Sequence, residues 1–168
     1  MKNKTSYRTA ALFIGAAATL VLLCSCISFN IGDWPSRFVY PHNRPPENWC
    51  GLIGAFLAYY LLYYIGPGIF LILISACCFF AAKLTNRVIG QPILRSIGLL
   101  LLTAAGSSTF YYFWPHSIYD FPVGSGGMLG IGMTYFLRSQ FAKLGTFILL
   151  SAVWVVGLIL LAEELYVL

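Results

Sequence analysis

Charge is scarce in this sequence, and negative charge scarcest. Ten lysines and arginines stand against five aspartates and glutamates in 168 residues, 9% charged in all. A water-solvated domain carries about a quarter of its residues charged, so an ordinary soluble fold is excluded. No acidic residue falls inside any of the long apolar runs. Proton relays and ion paths are built from ionisable groups at membrane depth, which argues against a pump and leaves a transporter only hydroxyls and tyrosines as lining. Histidine is rarer still. His42 and His116 both sit in polar segments, so no catalytic pair lies at depth, and His42 with Cys50 lacks the second ligand pair of a zinc site. A chain with no enzyme activity, no metal and no cofactor is the expectation.

What the sequence has in abundance is apolar side chains, 60% of the total. They gather into four runs expected to span a membrane, at about 10–29, 67–82, 96–112 and 144–162. The first, Ala10 to Phe29, has the roughly 20 residues that a helix needs to cross the hydrocarbon core. Lys2, Lys4 and Arg8 precede it, so it also has the look of a signal peptide, and Leu23-Cys-Ser-Cys26 approaches a lipoprotein cleavage box with Cys24 where a small residue is preferred. The length of the run favours an anchor over a cleaved leader. The second run is short, so Lys83 at its end is expected to snorkel to the interface. Cys77 and Cys78 read as small packing residues.

The basic residues are scattered and form no nucleic-acid stripe. Lys2, Lys4, Arg8, Lys83, Arg87 and Arg95 flank one side of the expected spans, and Arg37, Arg44, Arg138 and Lys143 the other. Six against four favours a cytoplasmic N-terminal segment, 1–9, a cytoplasmic 83–95 turn and a cytoplasmic tail, 165–168.

Between the spans the chain is patterned twice. Asn30 to Trp49 holds Pro35, Pro41, Pro45 and Pro46, a density that blocks helix and sheet ladders and predicts an irregular outer loop. A helix over 51–65 follows, with Gly51, Gly54, Ala55 and Ala58 at i, i+3, i+4 and i+7 on one smooth face and Phe56, Tyr59, Tyr60, Tyr63 and Tyr64 on the flank. Gly66-Pro67-Gly68 breaks it. After the second outer loop, Gly126-Gly-Met-Leu-Gly130 repeats the spacing of Cys50-Gly-Leu-Ile-Gly54. Gly127, Gly130 and Thr134 stand in the places of Gly51, Gly54 and Ala58, and a second helix over 126–141 runs on towards Gly145.

The fold expected is an all-α integral membrane protein, a four-span domain over 10–164 in two similar halves, each with an added interfacial Gly-xx-Gly helix. Small residues let helix backbones approach closely in lipid. Gly51, Gly54, Ala55, Ala58, Gly66, Gly127, Gly130, Thr134 and Gly145 are therefore the expected packing positions. The two smooth faces meet either within one chain or between chains, and the repeated halves favour the first.

Glu47-Asn-Trp-Cys-Gly-Leu-Ile-Gly-Ala-Phe-Leu-Ala58, the later Ile65-Gly66 and Gly126-Gly-Met-Leu-Gly130 resemble the N-terminal membrane domain of the FtsK/SpoIIIE DNA translocases, over about residues 10 to 164. Tyr59, where that family often has a polar or acidic residue, and the early Pro67 depart from the pattern. The resemblance implies an anchor in the bacterial cytoplasmic membrane, acting at the division septum in cell division and chromosome segregation. It also implies lipid, a homo-oligomer, septal proteins and a motor domain encoded elsewhere as partners, without direct nucleic-acid binding by this chain. The 168 residues contain no Gly-xxxx-Gly-Lys-Ser/Thr phosphate loop, which such a motor needs to cradle nucleotide. The alternative reading is a small accessory or transporter-like membrane protein.

Overall fold

A computed structural model describes residues 2–87, 90–116 and 119–162; the expected tail, 165–168, lies outside them. The described residues form five α-helices and no strand: α1 (Lys2–Ile27), α2 (Gly51–Tyr64), α3 (Ile69–Leu84), α4 (Pro92–Phe113) and α5 (Gly127–Ala162). A short 3₁₀ turn, Gly66–Gly68, joins α2 to α3.

Among the described residues four stretches are long and apolar enough to cross a bilayer: Tyr7–Ile27, Gly66–Leu84, Pro92–Phe113 and Gly127–Ala162. At 1.5 Å per residue, the 14 residues of α2 reach only about 21 Å, short of the ~30 Å hydrocarbon core.

Helix ends follow backbone chemistry more than hydropathy. α1 starts at Lys2, well before the apolar run, since lysine and arginine are good helix formers. α4 starts at Pro92, four residues ahead of the run expected from 96, because proline at the first helical position loses no hydrogen bond. α2 ends where Gly66 takes φ +78°, a left-handed conformation that side chains resist, and Pro67 then opens the next turn.

The 36 residues of α5 would make a rod of about 54 Å, but Ala142, with φ 53° and ψ −168°, interrupts them. The break thus falls ahead of Gly145. Gly51 and Gly127 open α2 and α5 with φ of +66° and +64°. Gly66 and Ala142, the same number of residues apart as that pair, interrupt the two helices with φ of +78° and +53°.

Packing is richest within two groups, α1 with α2 and α3, and α4 with α5. The core lies within the first group and is capped by one ring of the loop between α4 and α5; it joins Cys26, Ala58, Tyr59, Leu62, Ile69, Leu73 and Phe121. Elsewhere large apolar side chains point outward, among them Ile14, Ile53, Ile74, Leu100, Leu144 and Ile159. Patches of that extent are aggregation surfaces in water and ordinary surfaces in lipid. This is a multi-pass membrane protein.

Candidate functional site

The loop between α1 and α2 is irregular in conformation but held by side-chain hydrogen bonds. The Asp33 side chain is buried. Its Oδ1 accepts from the Asn43 amide Nδ2 at 3.0 Å and from the Glu47 backbone N–H at 3.0 Å, and its Oδ2 from the Asn48 N–H at 2.9 Å. Asn48 is buried as well. Its Nδ2 donates to the carbonyls of Ser25, at 2.8 Å, and Ser28, at 3.3 Å, while its Oδ1 accepts from the Cys50 N–H at 3.0 Å. One side chain thus occupies the carbonyls left open at the end of α1 and fixes the residue before α2.

A buried acceptor removed from its donors costs about 1–3 kcal/mol per stranded group. Asp33→Ala strands three, so the loop is expected to open. Trypsin cleavage after Arg37 in the folded, detergent-solubilised protein should accelerate at least tenfold over wild type; an unchanged rate would show that the carboxylate does not hold the loop.

The loop between α4 and α5 delivers one ring against the first loop. Phe121 is 6% exposed. It stacks on Phe29 at 5.2 Å and meets Tyr59 at 5.7 Å, Tyr63 at 5.8 Å and Phe38 at 6.5 Å, all edge to face. Offset and edge-to-face pairs of this kind are the favoured aromatic geometries. Tyr119 packs edge-on to Phe29 at 5.9 Å. Burial pushes its phenol up to about 12, with the neighbouring Cys26 adding to the shift, and burial also raises Tyr59, with Tyr63 beside it. Both hydroxyls therefore stay neutral at physiological pH. The rings of the joint are neutral, and Arg37 is the charged group that acts on Tyr59 beside them.

Beneath the loops lies a backbone crossing. A Cβ on Gly66 would stand 2.1 Å from the Gly126 carbonyl oxygen, and one on Gly127 would stand 2.4 Å from the Gly66 nitrogen. Ser107 of α4 completes the joint: its Oγ donates to the Ile65 carbonyl at 2.5 Å and accepts from the Gly68 N–H at 2.9 Å. The groups freed by the break between α2 and α3 are thereby satisfied without water, a requirement at membrane depth.

The same stretch of α4 seats α5. A Cβ on Gly130 would lie 2.4 Å from the Ser107 carbonyl oxygen, and the fully buried Thr134 donates its hydroxyl to the Ser108 carbonyl at 3.1 Å.

The nine expected packing positions therefore part company. Gly54 lies against α1, its missing Cβ 2.7 Å from the Ser25 hydroxyl. Ala55 and Ala58 are buried. Gly130 and Thr134 lie against α4, and Gly66 meets Gly127 directly. Gly51 has open space where a Cβ would stand, and its glycine serves the φ of +66°. Gly145 has near it only Phe141 of its own helix. The smooth faces thus serve contacts inside the chain, each mainly against the long helix that precedes it.

Asp33, Asn48 and Phe121 have no counterpart among the positions expected from sequence. The available signal for Asp33 and Asn48 was a buried-capable polar pair in a proline-rich loop, and for Phe121 a lone ring between Asp120 and Pro122. No group of three or more His, Cys, Asp or Glu that could hold a metal occurs among the described residues.

The sequence of this two-group helical membrane domain matches a known family over nearly its whole length. The profile described as the 4TM region of DNA translocase FtsK/SpoIIIE covers residues 5–166. The chain belongs to that family. This 4TM domain is 30% identical over 161 residues to the proteins named DNA translocase FtsK 1 of Neisseria meningitidis serogroup A / serotype 4A (strain DSM 15465 / Z2491) and serogroup B (strain ATCC BAA-335 / MC58). Each alignment takes in 92% of this chain and 20% of the relative. The 4TM domain thus spans about a fifth of the length of the curated relatives it matches. No solved structure is significantly similar to it.

Proposed function

We propose that this 4TM domain is the membrane anchor of a DNA-translocase system, set in the bacterial cytoplasmic membrane with both termini and the 83–95 turn on the cytoplasmic side. The observation that carries the reading is the family match over residues 5–166. The anchor acts through contacts and not through chemistry: these 168 residues have no phosphate loop, and the described ones bring no catalytic pair together. ATP hydrolysis and DNA movement belong to a motor domain, and the partners are lipid, that motor and proteins of the septum. Because Gly54, Gly66, Gly127 and Gly130 are occupied within the chain, a homo-oligomer would have to form through its other, outward apolar surfaces.

A cysteine-free form carrying Tyr40→Cys or Asn86→Cys, each fused at its C-terminus to a fluorescent protein that matures only in the cytoplasm, tests the reading. Tyr40 is 89% exposed in the outer loop and Asn86 is exposed at the opposite end of the helices. The expected result is fluorescence gathered at the septum, with an impermeant thiol reagent labelling position 40 of intact cells and not position 86. Reversed labelling would overturn the orientation, and an even membrane glow in dividing cells would overturn the septal role.

A further inference from the structure

α3 and α4 touch closely at the Gly66–Gly68 turn, where a Cβ on Gly68 would lie 2.2 Å from the Thr103 carbonyl oxygen. Away from the turn they are separated by an open groove of about 670 Å³. Its walls run from Leu71 to Ala82 on α3 and from Pro92 to Leu102 on α4. At 1.5 Å per residue that is about 15 Å of helix, half of the ~30 Å hydrocarbon core. The walls are apolar, and Ser75, Ala76 and Cys78 keep the α3 side low.

The end of the groove away from the turn is basic. Arg95 lines it. Lys83 follows the wall residue Ala82 and holds its ammonium 5.8 Å from the ring centre of Phe79, another wall residue. Arg87 is exposed four residues further on. Among the described residues every acidic side chain (Asp33, Glu47 and Asp120) belongs to the loops at the opposite end. Glu163 and Glu164 follow Leu161, itself a lining residue, so three cations still outnumber the nearest carboxylates in sequence. A guanidinium has five donors, so Arg95 can hold a phosphate together with another partner.

We propose that this groove binds one anionic glycerophospholipid from the leaflet at the Lys83–Arg95 end, an acyl chain lying between α3 and α4 and the phosphate held by Arg95 and Lys83. Depth selects the occupant. A partner's membrane helix would need a groove running through the whole bilayer, whereas this one closes at the Gly68–Thr103 contact after one leaflet. Charge selects the headgroup, since basic pockets between membrane helices favour anionic lipids over zwitterionic ones. The inference rests on the membrane reading of the helices and not on the anchor function.

Native mass spectrometry of the full chain, delipidated and offered equal amounts of phosphatidylglycerol and phosphatidylcholine with identical chains, is the test. Wild type is expected to retain one phosphatidylglycerol with a preference of at least about tenfold. Arg95→Gln should cut the preference to a fewfold, and the triple variant K83Q/R87Q/R95Q to parity. Ala76→Trp fills the groove and should lower retention of both lipids, while Ile14→Trp, on the exposed face of α1, should change neither. Should Ala76→Trp lose its helical fold, the half-exposed Arg95 decides, because its substitution leaves the apolar packing in place. Parity in wild type, or an undiminished preference in both charge variants, would overturn the site. Either result in protein that still inserts leaves the anchor reading standing, whereas failure to insert into bilayers would remove both.

Discussion

Gly66→Ala is expected to destabilise the folded monomer severely, while Gly51→Ala leaves it only mildly weakened. Both glycines have a positive φ, +66° at Gly51 and +78° at Gly66, so both substitutions place an L side chain in the left-handed region at about 1–2 kcal/mol. They differ in what surrounds them. A Cβ at Gly51 meets nothing within 4 Å, but at Gly66 it meets backbone of the other half, the Gly126 carbonyl carbon at 2.4 Å and the Gly127 nitrogen at 2.8 Å. Backbone held by its own hydrogen bonds cannot move aside as a flexible side chain can, and overpacking adds about 1–3 kcal/mol or more.

Together the two costs come to about 2–5 kcal/mol, a large part of the roughly 5–15 kcal/mol typical of a folded domain. Thermal unfolding followed by circular dichroism in mild detergent, with size exclusion as a check on the monomer, separates the pair. A Gly66→Ala protein melting within a degree or two of wild type would show that the crossing is not what ties the two groups of helices together. Gly132→Ala is the matching control. It has open space and an ordinary φ, so alanine there should be neutral or stabilise by up to about 1 kcal/mol.

Phe121→Ala is expected to be the most damaging loop substitution, at about 3–5 kcal/mol. Phe121 touches rings from just past the end of α1 (Phe29), the first loop (Phe38) and α2 (Tyr59, Tyr63). Removing it empties a joint to which three elements contribute, and none of them can close the gap alone. Phe121→Leu retains most of the apolar volume and should lose clearly less. The measurement is the unfolding midpoint of the two variants, together with trypsin sensitivity of the first loop. A rise in cleavage after Arg37 on changing Phe121 would show that one loop holds the other. If Phe121→Ala unfolds no earlier than Phe121→Leu, the ring cluster is decoration and not a joint.

The sequence by itself determined the solvent, the class and the family. Few charges and four apolar runs leave lipid as the only medium that solvates most of the chain, and that information is local: it sits in each run regardless of what the run touches. Gly66-Pro67-Gly68 likewise announces a break on its own, since one residue favours positive φ and the next lacks an N–H. The run of residues from Glu47 to Ala58 and its echo at Gly126 carried the family resemblance for the same reason.

What each small residue does was decided by the tertiary structure. Gly51, Gly66 and Gly145 look alike in sequence, yet one serves a backbone angle in open space, one a backbone-to-backbone crossing, and one sits within its own helix. Ala142 carries the other interruption although alanine is the best helix former; no local preference asks for φ +53° there. Asp33 and Phe121 gain their roles from partners 10 to 15 and 58 to 92 positions away in the chain. A side chain's identity fixes what it is able to bond or fill. Which carbonyl, ring or glycine lies opposite is settled only when distant segments meet, and that is where the packing of this domain was decided.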